Sequence, residues 1–312
     1  MISKLRQDSE KMTLSLPEIV AKENRDDTLF IFYADLLDGC KDVNESKVVQ
    51  LLRDDFKFEL LLRNFSLSKQ LKVRNVRNEL DRDVKVINML ILKYVLRCYE
   101  EIKVQSHEWE ESRNEYGKPR LEHRSYQYNI SDEVGIVCLA IGFNERLRGS
   151  EIGIDLANPE DIQRFGLSDL QNFYKVDFRS IFGPNEIEEL DRLFDDLTYD
   201  EQLQRLTQMW ALKESYCKYL GVGIAAGMEN FEFPEPKKFL LIEKDVEGGQ
   251  DLFEVVARNI EMNKTVNFDV NNGCFQLPQS KLICSVFGDY RKACLVKLDV
   301  RNIIKEFTQS GG

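Results

Sequence analysis

Trp210-Ala-Leu-Lys213-Glu214-Ser-Tyr-Cys-Lys218, read with Gly153-Ile-Asp155 upstream, decides how this chain folds around its chemistry. On a helix, Trp210, Glu214 and Lys218 stand four residues apart and stack along one face. Leu212, Tyr216, Tyr219 and Leu220 make a second, apolar stripe suited to a core. A carboxylate and an ammonium one turn apart suit an acid/base pair beside a phosphate or a metal. Alone they would more often be an exposed salt bridge worth a few tenths of a kcal/mol, so the rest of the chain has to decide.

Upstream, Ile152, Ile154 and Leu156 alternate with Gly153 and Asp155, so Asp155 points away from the apolar face of a strand. Asn158-Pro159 ends that strand. Asp155 and Glu214 together supply hard oxygen ligands. Two carboxylates plus substrate phosphate oxygens are a common way to hold Mg²⁺, which keeps several waters. Two histidines, His107 and His123, and scattered cysteines make a zinc site a poor expectation. No Walker loop, Gly-x-Gly-x-x-Gly signature or Gly-x-Ser-x-Gly elbow occurs, which removes ordinary kinase and serine-hydrolase readings.

A chain of 312 residues suffices for two ordinary domains. Apolar and charged fractions of 43% and 31% describe a globular chain, and no apolar run reaches membrane-spanning length. The N-terminus, with Asp8, Glu10 and Glu18, is not a secretory signal. Seven cysteines at 40, 98, 138, 217, 274, 284 and 294 form no close pair and read as reduced thiols of a cytoplasmic protein. The formal charge of −11 argues against nucleic-acid binding through phosphate neutralisation. Within that acidic chain, Lys69, Lys72, Arg74, Arg77, Arg82 and Lys85 crowd one segment, opposed by Glu79, Asp81 and Asp83. The segment is a candidate phosphate pocket, with a solvated helix face as the alternative.

The pattern along the chain predicts an irregular polar arm over the first ~20 residues and a buried strand at Thr28–Ala34. Helices are expected over Val48–Phe65 and from Leu80 to Cys98. Arg82 lies off the apolar ladder of the second helix, free to face a cleft. A turn at Glu115–Pro119 precedes strands at Tyr126–Ser131 and Val134–Gly142. Helices follow at Pro184–Leu197 and Glu201–Leu220, then strands at Lys238–Ile242, Leu252–Ala257, Val266–Val270, Leu282–Phe287 and Cys294–Val300. Gly248-Gly249, Asn271-Asn-Gly273 and Gly288-Asp289 read as turns between them. The chain divides near Gly149 into an N-terminal lobe, 1–149, and a C-terminal lobe, 150–312.

Four blocks in order, Tyr116-Gly-Lys-Pro119, Tyr128-Asn-Ile-Ser131, Ile152-Gly-Ile-Asp155 and Trp210 to Lys218, resemble the 4′-phosphopantetheinyl transferases of the larger two-lobed type. Asp81-Arg82 and Phe178–Leu190 add weaker matches. The nearest type is the eukaryotic, fungal member that activates aminoadipate-semialdehyde dehydrogenase in lysine biosynthesis. The resemblance implies an α+β fold of two similar lobes related by a pseudo-two-fold, each a mainly antiparallel sheet packed with a long helix. The active site then lies in the cleft between them.

It implies transfer of phosphopantetheine from coenzyme A to a serine of an apo carrier domain by a monomeric, cytoplasmic, Mg²⁺-dependent enzyme, without nucleic acid or membrane. Asp155 and Glu214 would hold the metal, and Glu214 and Lys218 would be catalytic. Coenzyme A contacts would come from Arg82, Arg113, Gly117, Lys118, Asn129, Ser131, Asp132, Lys213 and Lys218. Two departures stand out. Asp132 replaces the family's usual histidine, and Ala157 stands where bacterial members carry a second acidic residue. The missing ligand there would be water, Glu133 or Gln127. The rival readings are a fatty-acid or polyketide carrier as main client, or a non-catalytic binding protein with Asp132 as its hint.

Overall fold

The computed structural model describes residues 16–23, 28–100, 111–121, 126–143, 151–164, 169–223, 227–233, 241–244, 252–256, 258–259 and 271–309. In chain order the first elements are α1 (Leu16–Glu23), β1 (Thr28–Asp35), α2 (Lys47–Leu52), α3 (Asp55–Leu62), α4 (Leu67–Arg74) and α5 (Glu79–Glu100). Then come β2 (Glu111–Arg113), β3 (Pro119–Leu121), β4 (Tyr128–Glu133), β5 (Ile136–Ile141) and β6 (Gly153–Ala157). Helices α6 (Pro159–Arg164), α7 (Leu170–Asn172), α8 (Pro184–Phe194) and α9 (Tyr199–Leu220) follow. The chain closes with β7 (Leu241–Lys244), β8 (Leu252–Val256), β9 (Arg258–Asn259), β10 (Asn271–Gln276), β11 (Ile283–Gly288), β12 (Lys292–Leu298) and α10 (Val300–Gln309).

The fold is mixed α+β. Among the described residues, one sheet runs β4-β5-β1-β12-β8-β7, antiparallel except for the parallel pair of β1 and β12. A second runs β6-β11-β10-β9 and is antiparallel throughout. The first sheet takes strands from both sides of Gly149. Its outer face is covered by α1, α5 and α10, which bury Ile87, Leu90, Ile91, Ile303 and Phe307 against Phe30, Phe32 and Val296. Its inner face packs on the second sheet through Ile31, Cys138, Ile154, Leu156, Cys284 and Leu295. Helix α9 covers the far face of the second sheet. No described helix is long and apolar enough to cross a membrane.

The local chemistry explains most boundaries. Thr198 caps α9 through a reciprocal bond with Glu201, and Gly221 closes it at φ 73°, the left-handed conformation that glycine adopts without penalty. Asp54 caps α3 and divides the helix expected over Val48–Phe65 into two. Leu16, Ile19 and Val20 are buried in α1, which packs on α5. The irregular arm expected over the first ~20 residues is therefore helical from Leu16, because an i, i+3, i+4 apolar trio finds a partner. Asn271-Asn-Gly273 begins strand β10 instead of forming a turn. The Asn272 amide is buried there and donates to Ser285 Oγ and Val286 O. The expected strand at Val266–Val270 lies outside the described residues, as do residues 238–240 and 257 of two other expected strands.

One buried charge in the N-terminal half is costly. Asp83 on α5 is fully buried, neither carboxylate oxygen is hydrogen-bonded, and its nearest cation, the Arg82 Nε, is 3.8 Å away. Burial pushes its pKa up to about 6, against the lowering pull of Arg82 and Arg53. The folded state therefore binds the Asp83 proton more tightly than the unfolded chain. Stability from this group is present at low pH and is lost as pH rises through about 6. Asp83→Asn is expected to raise Tm at pH 7.5, with the advantage shrinking as pH falls below 6. Thermal melts of both proteins across that range check it.

Candidate active site

The site is built where the edges of the two sheets meet helix α9. Gly153, Asp155 and Ala157 face α9, while Ile152, Ile154 and Leu156 face the inter-sheet core. This is the alternation read from the sequence. A Cβ on Gly153 would lie 2.1 Å from Ser215 O and 2.3 Å from Tyr219 N. Strand β6 therefore rests directly on the helix backbone. Ser215 Oγ also pairs at 2.7 Å with Ser285 Oγ on β11, whose residue lies opposite Asp155 in the sheet register.

That close approach sets Asp155 beside Lys218. The Lys218 ammonium lies 2.7 Å from Asp155 Oδ1 and donates to Ser131 Oγ at 3.1 Å. Ser131 Oγ donates to Asp155 Oδ1 at 3.2 Å and accepts the backbone N–H of Leu156 at 3.1 Å. Asn129, two residues back along β4, accepts the N–H of Ile154 at 2.9 Å. β4 and β6 are each the edge of a sheet, and these two side chains satisfy outward N–H groups of β6 that would otherwise stay buried and unpaired. Asn129 and Ser131 are consequently more buried than Ile130 between them.

Glu214 is half-buried on the same face of α9, and no described residue donates a hydrogen bond to it. Burial raises its pKa, the Asp155 charge raises it further and Lys218 partly offsets both. A cavity of about 310 Å³ opens beside this cluster, walled by Leu156, Ala157, Ile162, Phe173 and Trp210, with Glu133, Asn158, Asp161, Arg164 and Thr207 as its polar lining. Burial and the charges of Asp161, Asp155 and Asp132 push Glu133 up to about 7. Glu133, and not Gln127, lines this cavity with Ala157. Among the described residues no three His, Cys, Asp or Glu side chains converge as a metal cluster. Asp155 and Glu214 would supply two of the oxygen ligands that a small divalent cation takes. Both are hard carboxylates, and the Asp155 charge acts on Glu214.

The other expected contacts are placed differently. Lys118 is buried and its ammonium is held by Glu151 at 2.5 Å and Tyr219 O at 3.2 Å. With Asn114, whose amide donates to Gly221 O at 2.7 Å, it fastens the β2–β3 turn to the C-terminal end of α9. Arg113 is exposed and donates to Gly117 O at 2.7 Å, bracing that turn, and Gly117 has φ 93°. Asp132 is exposed and accepts from the Asn88 amide of α5. Arg82 stacks 4.9 Å over the Phe58 ring beside Asp83. From the basic segment, Arg74 is engaged by Glu59 at 2.7 Å.

Lys213 is not brought to the cluster. It is fully buried, its ammonium 2.6 Å from Glu186 and bonded to Met228 O and Phe231 O. Glu186 in turn accepts the N–H groups of Gly183 and Phe233. Lys213 has Met209, Tyr216 and Cys217 as its i−4, i+3 and i+4 neighbours, so its face of the helix is apolar, a signal in the sequence that it needed a buried partner.

The 4′-phosphopantetheinyl transferase superfamily model matches residues 151–253, which carry Asp155, Glu214 and Lys218. The similarity is to phosphopantetheinyl transferases. A phosphopantetheinyl transferase of Thraustochytrium sp. is 28% identical over 185 residues, covering 58% of this chain and 60% of the relative. L-aminoadipate-semialdehyde dehydrogenase-phosphopantetheinyl transferases of Candida glabrata and Saccharomyces cerevisiae are 27% and 25% identical. They cover 55% and 59% of this chain and 60% and 62% of their own lengths. The chain thus spans about 60% of the length of the curated relatives it matches.

Proposed function

We propose that this chain transfers the 4′-phosphopantetheine group of coenzyme A to a serine hydroxyl of an apo carrier domain and releases adenosine 3′,5′-bisphosphate. The observation that carries this reading is the Asp155–Lys218–Ser131 cluster with Glu214 beside it, inside the matched segment. In the reaction the serine oxygen bonds to the phosphorus bearing pantetheine. The bond from that phosphorus to the oxygen of the nucleotide phosphate breaks, and the charge passes to the leaving bisphosphate. Such chemistry asks mainly for positioning and charge stabilisation.

Glu214, made more basic by burial and by Asp155, accepts the serine proton directly or through water. Lys218 sits one turn away and neutralises charge on the pyrophosphate. Asp155 and Glu214, with water or Glu133, would hold a divalent cation such as Mg²⁺, which would supply further charge neutralisation when bound. The cavity walled by Ile162, Phe173 and Trp210 suits the largely aliphatic pantetheine arm, with Thr207 and Asn158 available to its amides. Arg82 and Arg113 carry charge suited to the nucleotide phosphates. Ser131, Asn129 and Lys118 act through positioning of the strand edges and of α9.

The names of the two yeast relatives make aminoadipate-semialdehyde dehydrogenase, and so lysine biosynthesis, the first client to test. The reading includes a monomer acting in the cytoplasm. Intact-mass spectrometry of a purified apo carrier domain after incubation with the protein, coenzyme A and Mg²⁺ tests it. A gain of one phosphopantetheine, abolished by EDTA, is expected. No gain on several unrelated carriers despite coenzyme A binding would favour a binding protein. Glu214→Gln is expected to slow transfer by about a hundredfold, with coenzyme A binding by calorimetry largely retained.

A further inference from the structure

The Lys218 ammonium occupies Oδ1 of Asp155, one of the two oxygens this carboxylate offers a divalent cation. Both bonds recorded to Asp155 fall on Oδ1, one from Lys218 at 2.7 Å and one from Ser131 at 3.2 Å. The pair is largely shielded, with the two side chains 29% and 9% exposed. A second bond from Lys218 to Ser131 Oγ, itself fixed by the Leu156 N–H, holds the ammonium in that position. Glu214 lies on the same helix face, one turn before Lys218.

We infer that Lys218 is an internal stand-in for the divalent cation: its ammonium must leave Asp155 Oδ1 before a divalent ion can bind there. Like charges at that separation repel strongly in a partly dry site, so the two occupancies exclude each other. Departure of Lys218 and arrival of a divalent ion are then one linked event, and the freed ammonium is delivered toward the anion that the site is to hold. The linkage is reciprocal. Any anionic group that draws Lys218 off Asp155 raises the affinity for the ion, so an anionic substrate and the ion assist each other. In the substrate-free protein the ion binds weakly, and Asp155 stays paired with Lys218 without it.

This inference rests on Asp155 and Glu214 as the ion's ligands, and its test does not pass through phosphopantetheine transfer. Mn²⁺ is titrated into the substrate-free full chain and free Mn²⁺ is followed by electron paramagnetic resonance. Lys218→Met is expected to bind Mn²⁺ more tightly than the parent protein by on the order of tenfold. Lys175→Met, which removes an ammonium paired with Asp191, is expected to leave the affinity within about twofold. Placing Asp155→Asn in both backgrounds should erase the Lys218→Met gain, which locates the competition at Asp155.

Lys218→Gln reads the same contrast should the methionine variant fail to fold, with circular dichroism melts as the check. Equal Mn²⁺ affinity of parent and Lys218 variants, absence of binding in both included, overturns the proposal. So does a gain that persists with Asp155→Asn, because it would come from net charge alone. If no carrier accepts phosphopantetheine but Lys218→Met tightens Mn²⁺, the transferase reading falls and the exchange stands. The reverse result removes only the exchange.

Discussion

Gly153→Ala is expected to cost about 3 kcal/mol or more of stability and, in any protein that still folds, to abolish the Asp155–Lys218 contact. The added methyl would stand 2.1 Å from Ser215 O and 2.8 Å from Tyr219 Cα. Both are backbone atoms of α9, so no rotamer change relieves the clash. Either the helix lifts from β6 or the strand shifts in its ladder. Lifting α9 breaks the Ser215–Ser285 bond and the contact of Tyr216 with Phe287, whose ring centroids are 5.2 Å apart. It also moves Glu214 and Lys218 away from Asp155 together. Urea denaturation reads the stability, and the Mn²⁺ titration reads the site. A stability within about 0.5 kcal/mol of the parent would show that the strand and helix do not lie in contact as described.

Lys213→Met is expected to destabilise the protein by roughly 3–5 kcal/mol, the cost of leaving a buried charge without its partner. Glu186 would keep only its bonds to the Gly183 and Phe233 N–H groups. Burial pushes the Glu186 pKa up and pulls the Lys213 pKa down, and the mutual attraction of the two acts against both. The pair ties the start of α8 and the 228–233 segment to the middle of α9, so its loss loosens the packing of the helix that carries Glu214 and Lys218. Lys213→Met combined with Glu186→Gln should recover a good part of the loss, because it removes the orphaned charge as well. Chemical denaturation of the two single variants and the double variant checks this. A double variant as unstable as the sum of the singles would mean the two groups do not interact.

The face of α9 bearing Trp210, Glu214 and Lys218 was legible because a four-residue spacing on a helix leaves little freedom. So was the outward turn of Asp155, since alternation along a strand is obligatory. Lys213 shows the limit. One residue from Glu214, it is rotated about 100° around the helix, into an apolar stripe, and its partner is 27 residues away in sequence. Its neighbours signalled burial but could not name Glu186. Asn129 and Ser131 have partners that were illegible for a related reason. They look like the polar face of a strand, yet they meet the unpaired N–H groups of another sheet's edge. Lys118 is expected among the coenzyme A contacts, and its docking on the end of α9 through Tyr219 O could not be read from the turn.

By itself, the sequence determined the helix and strand that carry the candidate residues, and the mixed strand-and-helix character of the chain. These follow from local periodicity, capping and turn chemistry, which act over a few residues. Only the tertiary structure decided which polar groups face one another. It placed β6 against α9 through Gly153, joined β1 to β12 across the length of the chain, and sent Lys213 inward and Lys218 to Asp155. Those choices turn on burying charges only where partners exist and on leaving no sheet edge unsatisfied. Both conditions are met by contacts between distant segments, which no local pattern encodes.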